Sequence, residues 1–289
     1  MLVLLSVAKK IMEFRTIVDI DDPGFRIGAC EEMLFVGSCF ADKIGARFTD
    51  EKFRTIVNPF GVMYNPVSIL HTIQKLSTVR SSSAGLQGKN YQLSTIKTAF
   101  LTLGTNHVYI LNETGEIVDN CQKRPQSLFT EKELTVDECA DYLQQAIDIL
   151  HAANPDMRIV LTVSPIRYRK YGYHGSQLSK STLLLAVDKV APATYFPAYE
   201  IINDELRDYR FYADDMLHPS SQAVEYIWQR FSEVYLSPEA KAFLKEWQPL
   251  KAALNHKPFN PDSDEYRIFM DKTMLKISEL QKKYPNFAV

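Results

Sequence analysis

The chain has 289 residues, of which 46% are hydrophobic and 24% charged, and its formal net charge is −2. This is ordinary globular composition, with length enough for one large domain or one domain plus an appendage. There is no basic excess to draw nucleic acid or an anionic membrane, so neither is expected as a partner. The four cysteines, Cys30, Cys39, Cys121 and Cys139, form no CxxC pair. That excludes the usual zinc spacing and a disulfide framework, and it fits a reducing, cytoplasmic compartment.

Residues 1–8 are apolar and precede Lys9-Lys10. The run is too short to span a bilayer, and no small-residue cleavage site follows it. Met12 opens a strand-like segment, Glu13 to Val18, so translation is expected to start there, with residues 1–12 an extension. Asp21-Asp22-Pro23-Gly24 reads as a turn. Then Met33-Leu34-Phe35-Val36 runs into Gly37-Ser38-Cys39, and Phe40, Ile44 and Phe48 recur with a period of four. A buried strand followed by a helix is predicted, with Gly37-Ser38-Cys39 on the turn between them. Unpartnered N–H groups at the helix start favour an oxyanion or a thiolate there. The plain alternative is that Ser38 caps the helix and Cys39 is a small buried thiol.

A second short strand, Phe53 to Val57, ends in the rigid loop Asn58-Pro59-Phe60-Gly61, with a helix near Val67 to Leu76. Thr78 to Lys89 is rich in Ser and Gly and reads as a mobile loop. Strand Thr98 to Leu103 ends in Gly104-Thr105-Asn106-His107, and a hairpin spans Val108 to Val118. Helix Asp137 to Ala152 precedes the clearest buried strand, Met157 to Val163, which ends at Ser164-Pro165. A basic, tyrosine-rich loop, Arg167 to Gly175, leads to a helix over Gln177 to Lys189, then strand Thr194 to Phe196. Helices Ser221 to Tyr235, Pro238 to Leu254 and Asp262 to Lys283 close the chain. The last two are candidates for a cover over the cleft or for a dimer face.

Strands alternating with helices imply a mostly parallel sheet, whose ligands bind at the carboxyl ends of the strands. Ser38, Cys39, Gly61, Gly104 to His107 and Ser164 all fall at such ends. Asp215-Met216-Leu217-His218-Pro219 supplies a base. The spacing i, i+3 lets Asp215 hold one imidazole nitrogen while the other accepts a proton. The competing reading is a carboxylate that only caps the next helix. A metal site of Asp214, Asp215, His218 and His107 has no HxH or HExxH spacing behind it, so no metal or other cofactor is expected.

Gly37-Ser38-Cys39-Phe40-Ala41 spells the motif of the GSCFA family. Asn58-Pro59-Phe60-Gly61, Val163-Ser164-Pro165, Tyr195 to Glu200 and Asp215 to Ser220 also resemble that family. The resemblance covers roughly 14–231 and extends to the SGNH (GDSL-type) hydrolases. It implies a flavodoxin-like three-layer α/β/α sandwich over 13–236, with 237–289 as a C-terminal helical extension. By similarity Gly37, Gly61, Gly104 with Asn106, and Asp215 with His218 take the SGNH block positions. Counting from the glycine puts the nucleophile on Cys39; a slip of one residue puts it on Ser38.

The resemblance further implies Gly61 and Asn106 as oxyanion donors, with Asn58, His107, Arg167 and Tyr168 around the substrate. His107 stands where SGNH enzymes often have Asp, and Gln122 where GSCFA relatives have His. The expected activity is ester hydrolysis on a small or carbohydrate ester, such as removal of an O-acetyl group. The competitors are a catalytically idle glycan- or protein-binding module and an O-acyltransferase using the same residues. The sequence gives no oligomeric state.

Overall fold

The computed structural model describes residues 14–78 and 92–287. In chain order the elements are β1 (Glu32–Gly37), α1 (Cys39–Asp50), β2 (Arg54–Val57), α2 (Pro66–Thr78), β3 (Thr98–Leu103), β4 (His107–Leu111), β5 (Ile117–Val118), β6 (Phe129–Glu133), α3 (Val136–Ala153), β7 (Arg158–Val163), α4 (Gly172–Val187), β8 (Thr194–Tyr195), α5 (Ala198–Glu200), α6 (Ser221–Tyr235), α7 (Pro238–Leu254) and α8 (Asp264–Lys283). The residues expected as a mobile loop lie outside the described residues, Thr78 apart, as does the proposed start at Met12. Residues 14–18 form no strand: the backbone N–H and C=O of Val18 are taken by the side chains of Glu205 and Arg230, not by a neighbouring strand.

Five strands pair in the order β2-β1-β3-β7-β8, all parallel. Strand side chains alternate between the two faces, and that alternation builds the layers. Met33 and Phe35 of β1, Phe100 of β3 and Val160 of β7 join one buried cluster with α1, α6, α7 and α8. Leu34 and Val36, Ala99, Leu101 and Leu103, and Ile159, Leu161 and Val163 join the other, with α2, α3 and α4. The result is the flavodoxin-like three-layer α/β/α sandwich with added C-terminal helices. A second, antiparallel sheet of order β5-β4-β6 contains the expected hairpin and a strand, β6, that was not anticipated.

From β1 the chain moves outward to β2 and then crosses back to β3 on the other side. The carboxyl ends of β1 and β3 therefore flank the point where the winding reverses, where such sheets leave a crevice. The far end of α1 is closed by α7. Trp247 Nε1 donates to Asp50 O (3.2 Å), and Gln248 Nε2 and Lys251 Nζ donate to the fully buried Glu51 carboxylate (2.8 and 2.9 Å). A helix of this length spans about 18 Å. So α7 docks at the end of α1 opposite Cys39 and is no cover over that end. Among the described residues no helix is long and apolar enough to cross a membrane.

Candidate functional site

Gly37 sits at φ +138°, and a Cβ there would come 2.1 Å from Thr102 O. Only glycine lets β1 turn this close to β3. Ser38 follows as the N-cap of α1. Its N–H donates to Thr102 O (3.1 Å) and Thr102 Oγ1 (2.9 Å), its Oγ lies 3.0 Å from Thr102 Oγ1, and it accepts from Phe40 N–H (3.3 Å). Ser38 is fully buried. In this arrangement the Ser38 hydroxyl is a capping and strand-locking group, which favours Cys39 over Ser38 as the candidate nucleophile.

Cys39 is the first residue of α1 and is half-buried. Burial pushes its thiol above the ordinary value, while Lys43 and Lys180 pull it down and Asp42 adds to the rise. The expected lowering by the helix N-terminus is therefore outweighed by desolvation. At rest Cys39 is a thiol, and an attack by it requires a base.

That base has a defined setting. Asp215 Oδ1 accepts from Leu217 N–H and His218 N–H (2.9 Å each), and Asp215 Oδ2 lies 2.5 Å from His218 Nδ1. These hydrogen bonds hold the Asp215 carboxyl well below the usual carboxylate range. An ionised carboxylate only accepts, so the imidazole hydrogen sits on Nδ1 and Nε2 is free to take a proton. Met216, at φ +58°, bends the backbone back so that the two side chains meet.

The turn carrying His218 lies along one face of α1. Lys43 Nζ donates to Pro219 O (3.0 Å) and Arg47 Nε to Glu225 Oε2 of α6 (2.6 Å). Residues four apart share a helix face. Cys39 thus begins the Cys39–Lys43–Arg47 face, one helical turn before the Lys43–Pro219 contact.

Three expected neighbours are placed otherwise. The Gly61 N–H donates to Asn58 O (2.8 Å), closing a turn. The Asn106 side-chain amide donates to Leu134 O (2.8 Å) and its N–H to Ser179 Oγ (3.0 Å), which ties β4 to α3 and α4. The Gly61 N–H and one hydrogen of the Asn106 amide are thus engaged within the fold. Asn58 accepts from Gly37 N–H (2.8 Å) and donates to Asp42 Oδ1 (2.6 Å), so it braces the Gly37 turn against α1. His107 stacks on Tyr171 at 3.6 Å between centroids, beside Glu131, in a cleft with Glu133 and Leu178. Burial lowers its pKa.

Arg167 reaches the backbone of the Asp215–His218 turn. Its N–H donates to Leu217 O (3.0 Å) and its Nη1 to Met216 O (3.2 Å). The Tyr168 hydroxyl is buried without a partner and packs over Gly104, where a Cβ would lie 2.4 Å from it. Beside it is a group the sequence did not single out. Lys180 is fully buried in α4 and donates to Gly104 O (2.7 Å) and Ser164 O (2.8 Å), at the ends of β3 and β7. Burial brings its pKa down to about 7. The one signal in the sequence is its position among Ser176, Ser179 and Leu183, a face of small and apolar residues. Among the described residues no group of three His, Cys, Asp or Glu is placed to hold a metal ion.

The strand order and the crevice at its reversal point define a flavodoxin-like α/β protein, whose candidate site residues are the Cys39 thiol at the end of β1 and the Asp215–His218 pair. The chain belongs to the GSCFA family: the family's sequence model matches 32–86 and 78–231, and the model for the GSCFA domain protein, C-terminal domain, matches 247–289. No curated protein matches it. Among solved structures it is similar to a Streptococcus pneumonia protein described as a platelet activating factor (15% identity, 72% of this chain and 84% of that one, TM-score 0.41). It is also similar to a carbohydrate esterase family 3 protein from Talaromyces cellulolyticus (12%, 75% and 99%, 0.38). A third is a variant of an acetyl-xylooligosaccharide esterase from Geobacillus Stearmophilus (12%, 72% and 95%, 0.39). At such identities any activity has to be argued from this chain's own side chains.

Proposed function

We propose that the chain is an acyl hydrolase that cleaves a small acyl ester, such as an O-acetyl group on a carbohydrate, with Cys39, His218 and Asp215 as its catalytic residues. His218 Nε2 takes the thiol proton as Cys39 Sγ attacks the ester carbonyl. The carbonyl electrons pass to the oxyanion and return as the C–O bond to the alcohol breaks. His218 gives its proton to the departing oxygen, leaving a thioester. Water, deprotonated by the same nitrogen, then cleaves the thioester and restores the thiol. Asp215 fixes the tautomer and stabilises the imidazolium. The N–H of Cys39, at the start of α1, supports the oxyanion, and the charges of Lys43 and Lys180 favour both anions.

The observation that carries this reading is the Asp215–His218 clamp set against the Cys39–Lys43 face through Pro219. The test is His218→Ala assayed on a panel of short-chain esters. Turnover should fall by about 100-fold or more; unchanged turnover rejects the mechanism.

The committed amides of Gly61 and Asn106 favour a second reading, an idle glycan-binding module on the same scaffold. Carbohydrate binding by wild-type protein with no turnover of any ester in the panel is its signature.

A further inference from the structure

Beside the His218 turn lies a polar cleft of about 290 Å³, lined by Arg167, Gln177, Asn203, Arg207, Tyr209 and Tyr212 among others. Arg167 forms the wall it shares with the base, through its bonds to Met216 O and Leu217 O. The guanidinium lies 4.4 Å from the Tyr173 ring centroid, 5.2 Å from Tyr212 and 5.9 Å from Tyr209. Among the described residues it forms no ion pair with a carboxylate. Arg207 is exposed and pairs only loosely, at 3.9 Å, with Asp204. Asp208 also lines the cleft, but its carboxylate is engaged by Arg210 (3.1 Å). The positive charge of the cleft is therefore largely uncompensated.

The neutral groups fit a polyhydroxylated ligand. Gln177 Oε1 accepts from the Tyr199 hydroxyl (2.5 Å), which leaves its amide nitrogen to donate. Asn203 Nδ2 donates to Tyr199 O (2.7 Å), which leaves its oxygen to accept. A sugar hydroxyl needs both kinds of partner. Tyr209, which lines the cleft, is exposed and offers a ring face. A guanidinium held in a fixed orientation by rings and a main-chain carbonyl suits bidentate pairing with a carboxylate.

We propose that this cleft is the subsite for the alcohol half of the ester, and that the alcohol is an acidic sugar whose carboxylate pairs with Arg167 and Arg207. The inference rests on the reading of His218 as the group that protonates the leaving alcohol, because it places that alcohol next to His218.

Two measurements separate the cleft from the chemistry. The first is the ratio of kcat/KM for an O-acetylated methyl glucuronoside to that for the matching acetylated methyl glucoside. Wild-type protein should favour the acidic ester by roughly tenfold or more, and Arg167→Gln and Arg207→Gln should bring the ratio towards one. A wild-type ratio near one, or a ratio that both variants leave intact, overturns the inference. The second is calorimetric titration of methyl glucuronoside into His218→Ala protein, with glucose 6-phosphate and methyl glucoside as the other arms. Uronate binding that is lost in the His218→Ala, Arg167→Gln double variant supports the cleft even if no ester is turned over, in which case only the hydrolase reading falls. Tighter binding of the sugar phosphate overturns the carboxylate assignment. Binding of the neutral glucoside as tight as that of the uronate overturns the role of charge.

Discussion

The two turns of the proposed site are built in opposite ways. The Gly37-Ser38-Cys39 turn is sealed into the sheet: Ser38 and Thr102 exchange hydrogen bonds in the core, and Asn58 grips Gly37 N–H. The Asp215–His218 turn is half exposed and is held mainly by itself, through three bonds to one carboxylate, with Arg167 bracing it from outside. One turn fixes the proposed nucleophile by tertiary packing; the other fixes the proposed base by local hydrogen bonding. Substitutions in the first should therefore strike stability, and substitutions in the second should strike activity.

The largest effect is expected from Asp215→Asn. Its Oδ1 can still accept the two backbone N–H groups, so the fold should hold. Its side-chain nitrogen, facing Nδ1, forces the wrong imidazole tautomer, and kcat should drop by about 10³–10⁴-fold with little change in melting temperature. A drop in melting temperature that accounts for the lost activity breaks the contrast. Gly37→Ala should do the reverse. The added Cβ meets Thr102 O on a backbone that disfavours side chains, and a loss of more than about 3 kcal/mol in urea unfolding is expected. Ser38→Ala is milder. It removes the cap and one core hydrogen bond, at a cost of about 1 kcal/mol, and turnover per folded molecule should survive. Abolished turnover in stably folded Ser38→Ala protein returns the nucleophile to Ser38.

A further effect, graded by pH, concerns Lys180. Its pKa is about 7 folded, against an ordinary 10.5 in the unfolded chain. Between those values the unfolded chain holds a proton that the folded chain does not, so stability rises with pH across that window. Urea unfolding should therefore show wild type gaining on Lys180→Met from about pH 7 upward. Parallel pH profiles for the two proteins contradict the burial of that charge.

Sequence patterning carried the scaffold because the scaffold is periodic. The apolar runs of β1 and β7 follow from burial on both faces of the sheet, and the four-residue spacing in α1 and α6 from burial of one helix face. β6 escaped because four of its five residues, Thr130 to Glu133, are polar and exposed, and only pairing with β4 makes it a strand. In the candidate site, Asp215 with His218 was legible because their contact is local, three residues apart. Gly61 and Asn106 were assigned by counting along the chain. Their hydrogen bonds are set by Asn58 O and by Leu134 O, and the second partner stands 28 residues away. Lys180 was missed because a lysine in a helix reads as solvated, and only the fold turns it inward towards Gly104 and Ser164.

The most direct test is chemical trapping. Wild-type protein is mixed with 4-nitrophenyl acetate, quenched in acid during turnover, digested and sequenced by mass spectrometry. The account predicts an acetyl thioester on Cys39, which fails to form in His218→Ala. An acetyl group on Ser38, or none on either residue while ester is consumed, contradicts it.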